Sequence, residues 1–448
     1  LHAATLPDPY RPESGQEAQV PAGAVLGAWQ RILPAVILIY SVMLFSPEVR
    51  ISAAGLNIYS YRMAILPLLA VVVLRYLRGH TRWSLTDTLV MLAAIWMLAS
   101  FTVHFGVGDG LVRAGALVVD FAGAYFVARI SLGQMVDFRR LLVAIAPGLA
   151  VAGALMTLES VTHRLLVRPF WREIFGPLPE YFAGEAVADL VYQNEIRLGL
   201  LRSYSVFSHP ILGGAVLISA FPLFLFAGLR GWPKLAGLGA ALAGFFSLSS
   251  AAILGLFLVL GLAALEYLKR SIARLRWSAM AAIGLVLLLA AQLSTANGIV
   301  AALSPFTINP ATAYIRRVQW QYGLDAVERQ PVFGYGYGLI ERAAWMTDSI
   351  DAHFLVLAIR HGILVPLLLL VAMIGVMVTA GLRAGREAEH RSLLVGYNFC
   401  LFTLIFVGMT VTYFGESQIW LMFILGLGAS LVAVPALPAP PALPARDG

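Results

Sequence analysis

Residues 235–265 read LAGLGAALAGFFSLSSAAILGLFLVLGLAAL, a run without one charged side chain. At about 1.5 Å per residue it is too long for one ordinary membrane crossing and short for two. Its polar break, Ser247-Leu248-Ser249-Ser250, suits a hairpin tip or a patch of small residues at a helix contact. The choice sets the direction of everything downstream. Other apolar runs able to cross the hydrocarbon core as helix fall at 32–45, 63–77, 85–103, 111–128, 141–158, 211–229, 278–293, 354–382, 393–411 and 419–434.

Charge decides between the two readings. With the first terminus cytoplasmic and two short helices at 235–248 and 251–265, the cytoplasmic connections hold fifteen lysines and arginines, from Arg75 to Arg391. The short opposite connections hold only Arg50. Fusing the two helices would flip everything after Leu265 and carry seven of those basic residues to the other side. The positive-inside rule therefore selects the hairpin. The expected fold is all-α and integral to the membrane, with about twelve transmembrane helices over 32–434. Two long loops, 160–210 and 296–352, then face outward, which in a bacterial inner membrane means the periplasm. Residues 1–31 and the Pro/Ala tail 435–448 are expected to be disordered and cytoplasmic. With no basic segment and small-residue cleavage site ahead of Ile32, the first span is expected to be retained.

Composition agrees with this class. Hydrophobic residues make up 60% and charged residues 12%, against roughly 25% charged in soluble domains. Mean hydropathy is +0.82. The net charge of +7 is scattered between apolar spans, which fits orientation and contact with anionic lipid rather than nucleic acid. The single Cys400 lies in an apolar run, so no disulfide framework or cysteine metal site is expected.

Both long loops are rich in arginine and aromatic residues. The first carries Arg164, Arg168, Arg172, Arg197 and Arg202, and the second Arg316, Arg317, Arg329 and Arg342. A guanidinium fork binds phosphate oxygens in pairs, so arginines gathered at a membrane surface suit a lipid diphosphate. Arg202-Ser203-Tyr204-Ser205-Val206-Phe207-Ser208-His209-Pro210 leads into a span, and a helix start at Pro210 would attract an anion beside Arg202 and His209. The alternative for Arg202 is an anchor to lipid headgroups. In the second loop a helix-like stretch, 311–329, puts Arg316 and Trp320 on one side. Pro331-Val332-Phe333-Gly334-Tyr335-Gly336-Tyr337-Gly338 follows, without the Lys-Ser/Thr of a phosphate-cradling loop. Its alternating glycines and tyrosines suit stacking on sugar rings and equally suit packing at the membrane interface. At the mouth of the next span, Asp351 and His353 form a titratable pair able to move a proton, or else Asp351 caps the helix. Within the spans, Asp120 lies near mid-depth with Arg113 seven residues earlier on the same face, and the two are expected to form a structural link. Glu159 and Glu266 lie at span ends, within reach of water. No metal motif or nucleotide fingerprint appears, so the expected enzyme uses neither metal nor cofactor and takes its energy from an activated substrate.

The order of these motifs resembles the bacterial O-antigen ligase and O-antigen (exopolysaccharide) polymerase superfamily. The resemblance rests on Arg202 with Phe207-Ser208-His209-Pro210 before a span, the Ser247–Ser250 break, and Arg316-Arg317-Val318-Gln319-Trp320. Pro331–Gly336 and Asp351-Ala352-His353-Phe354-Leu355 with Arg360-His361-Gly362 complete it. It covers about 159–369 by motif. It implies a GT-C-like, metal-independent glycosyltransferase that takes a glycan from undecaprenyl diphosphate on the periplasmic side. The acceptor would be the next repeat unit (polymerase) or the lipid A–core (ligase), with a chain-length regulator as a further partner. On this resemblance Asp351 and His353 are catalytic, and Arg202, Arg316, Arg317, His209, Trp320 and Tyr335 bind substrate. Two departures weigh against the ligase. Asp351 stands where ligases usually carry His-Asn, and Ser249-Ser250-Ala251 lacks the hairpin arginine, so a polymerase is favoured. The rival class is a transporter or lipid-linked glycan flippase, which favours broken helices and midplane charges. A structural membrane subunit would leave the arginines unexplained.

Overall fold

The structure, a computed structural model, describes residues 22–53, 56–182, 185–189, 195–272, 310–346 and 349–434, with four isolated positions between 280 and 293. It is built of helices. Seven are long and apolar enough to cross a membrane, and Trp29–Met43 and Pro210–Phe226 are shorter apolar helices. The chain is a multi-pass α-helical membrane protein in architecture. All but the four isolated positions of the expected span at 278–293, and the first part of the second loop, lie outside the described residues.

The helices are α1 (Ala22–Met43), α2 (Ser60–Leu77), α3 (Leu85–Val118), α4 (Ala124–Arg129), α5 (Met135–Thr162), α6 (Val167–Phe175) and α7 (Pro210–Phe226). After them come α8 (Trp232–Ala243), α9 (Ser250–Ser271), α10 (Pro310–Arg329), α11 (His353–His361), α12 (Leu364–Arg386), α13 (Arg391–Gly408) and α14 (Glu416–Ala433). Three short antiparallel pairs decorate one end: β1 (Arg50–Ala53) with β2 (Leu56–Tyr59), β3 (Pro179–Phe182) with β4 (Glu185–Asp189), and β5 (Ile196–Arg197) with β6 (Leu200–Leu201).

The uncharged run 235–265 divides as its charge context requires. Gly237 lies against Phe224 and Gly244 against Ile218, so α8 runs antiparallel to α7. Ala252 lies against Gly214, Gly255 against Ile218 and Tyr267 against Phe226, so α9 runs parallel to α7. The reversal occurs at Leu248, which takes the left-handed conformation (φ 47°). A second reversal separates 85–103 from 111–128. Gly106 has φ 76°, and Gly110 packs back onto the backbone of Phe101 and Thr102. The far ends of the two arms meet: Arg129 bonds Asp87 at 3.0 Å and Tyr125 bonds Asp87 at 2.6 Å. A straight helix would hold residues 42 apart at a separation of about 60 Å.

Three boundaries differ from expectation. α1 begins at Ala22, so part of the stretch read as a disordered terminus is helix. Arg31 pairs with Asp137 at 3.0 Å and Arg75 bonds the Gln30 carbonyl, fixing that turn to the bundle. The run 354–382, read as one span, is broken at Gly362 (φ 82°) into α11 and α12. Apolar content does not register a single residue of left-handed backbone. The span 111–128 carries a π-helical turn at Val119–Gly123, between α3 and α4.

α14 is the central strut, buried continuously from Glu416 to Leu431. A helix that is apolar on all sides belongs inside a bundle. Small residues let its neighbours close in: Gly426 meets the Tyr125 carbonyl, and on α5 Gly153 meets Ala240. In lipid, where hydrocarbon outside is as apolar as leucine inside, such close contact holds helices together. Cys400 is fully buried in this core, as its apolar setting predicts. One end of the bundle, the basic end, gathers Arg31, Arg75, Arg129 and Arg383. The other, the loop end, gathers the three β-pairs, α6, α10 and α11.

Candidate functional site

Arg197 and Arg202 of the first loop lie beside the turn between α8 and α9, and Arg316 of the second loop is near enough for its charge to act on Arg202. Arg202 follows β6 directly. It is buried, its Nε donates to the Ser247 carbonyl at 3.3 Å, and its Nη1 donates to Glu195 at 2.8 Å. Arg197, on β5, bonds the Leu248 carbonyl at 3.3 Å and pairs with Glu195 at 2.9 Å. The hairpin thus holds two guanidinium groups on successive carbonyls of one turn, sharing one carboxylate. Burial, aided by Arg197, lowers the Arg202 pKa against the pull of Glu195. Partial burial opposes ionising Glu195, but its bond to Arg202 and the nearby charges outweigh this and hold its carboxyl below the usual range.

Arg316 comes from α10 and is 8% exposed, with an Nε that has no hydrogen-bond partner. Burial lowers its pKa; Asp351 works the other way and Arg202 adds to the fall, so both are close by. No direct ion pair joins Arg316 to Asp351 among the described residues. Asp351 accepts instead from Ser349 Oγ at 3.2 Å, and its backbone N–H donates to Gln319 Oε1 at 3.1 Å. Gln319, one turn along α10 from Arg316, also donates to the Ser349 carbonyl at 2.7 Å. Thr412 bonds Ala352 N–H and the Ile350 carbonyl, pinning the start of α11. Among the described residues the cluster holds three guanidinium groups against two carboxylates. Its surplus positive charge sits under low exposure, where anion contacts are strong.

His209 borders this cluster, but its role differs from expectation. Its Nδ1 accepts from Ile211 N–H at 3.3 Å, and its carbonyl accepts from Leu212 and Gly213. The helix start read as an anion seat therefore has its amides occupied by His209. Burial, then Arg202, pushes the His209 pKa down to about 3, so the ring is neutral and suited to that cap.

The remaining expected residues lie elsewhere. Asp351 and His353 do not form a pair. His353 has both ring nitrogens buried without partners and packs on Tyr413 and Phe354. α11 is too short to cross a membrane, and burial, with Arg360, keeps this imidazole neutral, pKa about 3. Asp351 does not cap α11 either, since Ala352 occupies that position. Trp320 donates its indole N–H to the Met409 carbonyl at 3.2 Å, a structural tether. Arg317, next to Arg316 and about 100° round the helix, is half-buried.

The glycine–tyrosine segment is a packed turn. Tyr335 N–H donates to the Ile359 carbonyl at 2.7 Å and Gly336 N–H to the Arg360 carbonyl at 3.0 Å. A side chain at Gly334 would strike the Ile359 carbonyl, which explains the glycine. Phe333 stacks on Trp96 at 5.2 Å and Tyr337 packs on Phe101. Trp96 and Ser100 also donate to carbonyls of this turn and of α11. Tyr335 faces Tyr322, Asp325 and Arg329, further along α10 than Arg316.

The expected Arg113–Asp120 link is replaced by Arg62–Asp120. Arg62 Nε and Nη2 bond Asp120 at 2.8 and 2.6 Å, and Arg113 lies over the Phe105 ring at 4.8 Å. Seven residues along one helix are about 10 Å of rise, too far for a direct pair, whereas α2 packs alongside. Glu159 and Glu266 are also fully buried, away from water. Glu159 accepts from Leu166 N–H, Val167 N–H, Ser203 Oγ and Ser205 N–H. Beneath the cluster a second network escaped the sequence. Arg168 bonds Glu48 at 2.9 and 2.6 Å and the Ser208 carbonyl at 2.8 Å, and Ser208 Oγ bonds Glu416 at 2.6 Å. A carboxylate next to a span end and an arginine 120 residues on carry no local mark of partnership. Among the described residues no three His, Cys, Asp or Glu side chains are grouped to hold a metal ion. No protein-family model matches the chain, and no curated protein matches it.

Proposed function

We propose that the chain is a membrane glycosyltransferase acting at the loop end, transferring a glycan from undecaprenyl diphosphate to an acceptor hydroxyl. Polymerisation of exopolysaccharide or O-antigen repeat units is the favoured form, for the two departures from the ligase pattern given above. The proposal includes a bacterial inner-membrane location, about twelve spans, and both long loops on the periplasmic side. One observation carries it: Arg202 and Arg316, from different loops, are buried together with more positive than negative charge, and Arg316 retains an unpartnered Nε. Burying a guanidinium N–H without an acceptor is costly, and a phosphate oxygen is the acceptor that best fits a fork. In the transfer the diphosphate leaves with its bonding electrons, and the arginines stabilise that charge. The acceptor oxygen attacks the sugar carbon and must lose its proton. Asp351, half-buried beside Arg316, is the carboxylate placed to take it, and His353, held among aromatic rings, supports the helix behind it.

The test is transfer from lipid-linked glycan by purified protein in liposomes. Arg202→Lys and Arg316→Lys should each lose activity while remaining folded, since lysine supplies charge without the paired donors. Normal polymer from both variants would end the clamp idea. Orientation is checked separately, with impermeant thiol reagent on spheroplasts carrying Ser304→Cys or Arg276→Cys. Labelling at 304 alone is expected, and labelling at 276 alone would reverse the topology.

A further inference from the structure

α6, Val167-Arg168-Pro169-Phe170-Trp171-Arg172-Glu173-Ile174-Phe175, turns Arg168 inward with Val167 and Trp171 and leaves an apolar stripe outside. A helix of a water-soluble domain turns its apolar stripe inward and its charges outward. Here Arg168 is fully buried, while Phe170 and Ile174 are 55% and 58% exposed, with Leu166 completing the outward stripe. The spacing of four residues puts these three on one face.

The position of α6 says what covers that face. It starts a few residues beyond the end of α5, and Glu159 of α5 accepts the N–H groups of Leu166 and Val167. Its inward side is fastened to the segment after α1: Arg168 pairs with Glu48, Trp171 packs on Phe45, and Arg50 bonds the carbonyls of Gly176 and Pro177. α6 therefore joins the end of α5 to the segment after α1; the last residue of α1, Met43, lies level with Gly148 on α5. On α5, Val151, Leu158 and Val161 are likewise apolar and exposed. An apolar helix face exposed on a segment that is fastened to the last turn of a lipid-facing span meets the same solvent as that span.

We propose that α6 is an interfacial helix lying in the leaflet at the loop end, with Leu166, Phe170 and Ile174 inserted among the acyl chains. Its consequence for the candidate site follows from one bond. Arg168 Nη1 holds the Ser208 carbonyl at 2.8 Å, one residue before His209 and the start of α7. The depth of α6 in the leaflet thus fixes the height of the arginine cluster, setting it near the phosphate layer. Embedded apolar helix faces of this kind bind through buried area in the headgroup–acyl boundary. The inference rests on the membrane architecture and does not require the transferase chemistry.

The experiment places single cysteines at Phe170, Ile174 and Glu173 in a Cys400→Ala background, labels each with bimane, and reconstitutes the full chain in phosphatidylglycerol-containing liposomes. Two quenchers are compared, aqueous iodide and phospholipid carrying a nitroxide near the top of the acyl chain. The lipid quencher should act at 170 and 174 several-fold more strongly than at 173, with iodide in the opposite order. Equal iodide quenching at all three positions would overturn the proposal. If Phe170→Cys does not fold, the same contrast between 174 and 173 decides it. Because neither quencher depends on turnover, a failed clamp test leaves this result standing, and the reverse holds as well.

Discussion

Arg168 and Arg316 are both buried arginines at the loop end, yet their surroundings are opposite. Arg168 spends Nε and Nη2 on Glu48 and Nη1 on Ser208, and its guanidinium lies 5.2 Å from the Tyr204 ring centroid. Arg316 has Asp351 and Arg202 nearby but no partner on Nε. A buried cation with every donor satisfied is part of the scaffold. One held close to another cation, with a donor unmet, is the kind of group the proposed anion would satisfy. The same contrast divides the carboxylates. Glu159 accepts four hydrogen bonds and is fully enclosed, whereas Asp351 is half-buried and accepts one from a serine.

The largest effect should come from breaking the satisfied network. Arg168→Met leaves the Glu48 carboxylate buried without its cation, which costs about 3–5 kcal/mol. Thermal unfolding in detergent should show a drop in midpoint of several degrees or loss of folded protein. The double variant Arg168→Met/Glu48→Gln should recover much of that loss, because no unpaired charge remains. If the single and double variants are equally unstable, the damage lies in packing and the pair has no special standing.

A smaller effect, in binding rather than stability, sharpens the contrast at Arg316. Arg316→Met removes a cation whose burial is already unfavourable, so the unfolding midpoint should hold or rise. Affinity for inorganic pyrophosphate, measured by calorimetry, should fall by about ten- to a hundredfold, from about 1.5–3 kcal/mol per charged hydrogen bond. Arg202→Met should lose both affinity and stability, because Glu195 and the Ser247 carbonyl are left without it. A destabilised Arg316→Met protein with unchanged pyrophosphate affinity would place Arg316 with Arg168 among the scaffold groups.

The smallest effect concerns acid. His209 has a folded-state pKa of about 3, below the ordinary 6.5 of the unfolded chain. As pH falls through 6.5 toward 3, the unfolded chain binds a proton that the folded one refuses, so stability declines across that window. Above 6.5 the contribution is constant. His209→Asn keeps a cap acceptor for Ile211 and removes the titration, so its stability should fall less steeply between pH 6.5 and 4 and match the parent at pH 8. Parallel curves would show that His209 is protonated in the fold.

What could be read early was what depends on neighbours in sequence. Hydropathy marked the spans, and the count of basic residues divided 235–265 into two helices without any contact being known. Arg202 and Arg316 were singled out as residue types suited to phosphate at a membrane surface, and they do come together. The errors share one cause. The Arg113–Asp120 link, the anion seat at His209 and the Asp351–His353 pair were inferred from proximity along the chain. Arg62, the Ile211 N–H and Gln319 are the partners that replaced them. Of these, Ile211 is two residues from its partner, and the others are brought in by packing of separate segments.

The sequence by itself determined that this is a helical membrane protein, where most of its helices run, and which of its ends is strongly basic. These follow from the cost of placing polar groups in hydrocarbon, a property summed residue by residue. Only the tertiary structure decided which buried charges are satisfied, because the acceptors of Arg62, Arg129 and Arg168 include groups 40 to 120 residues away. It also decided which side of α6 faces outward. Amphipathicity alone says that a helix has two faces; which face meets lipid is fixed by the Glu48–Arg168 pair that holds the other face to the bundle.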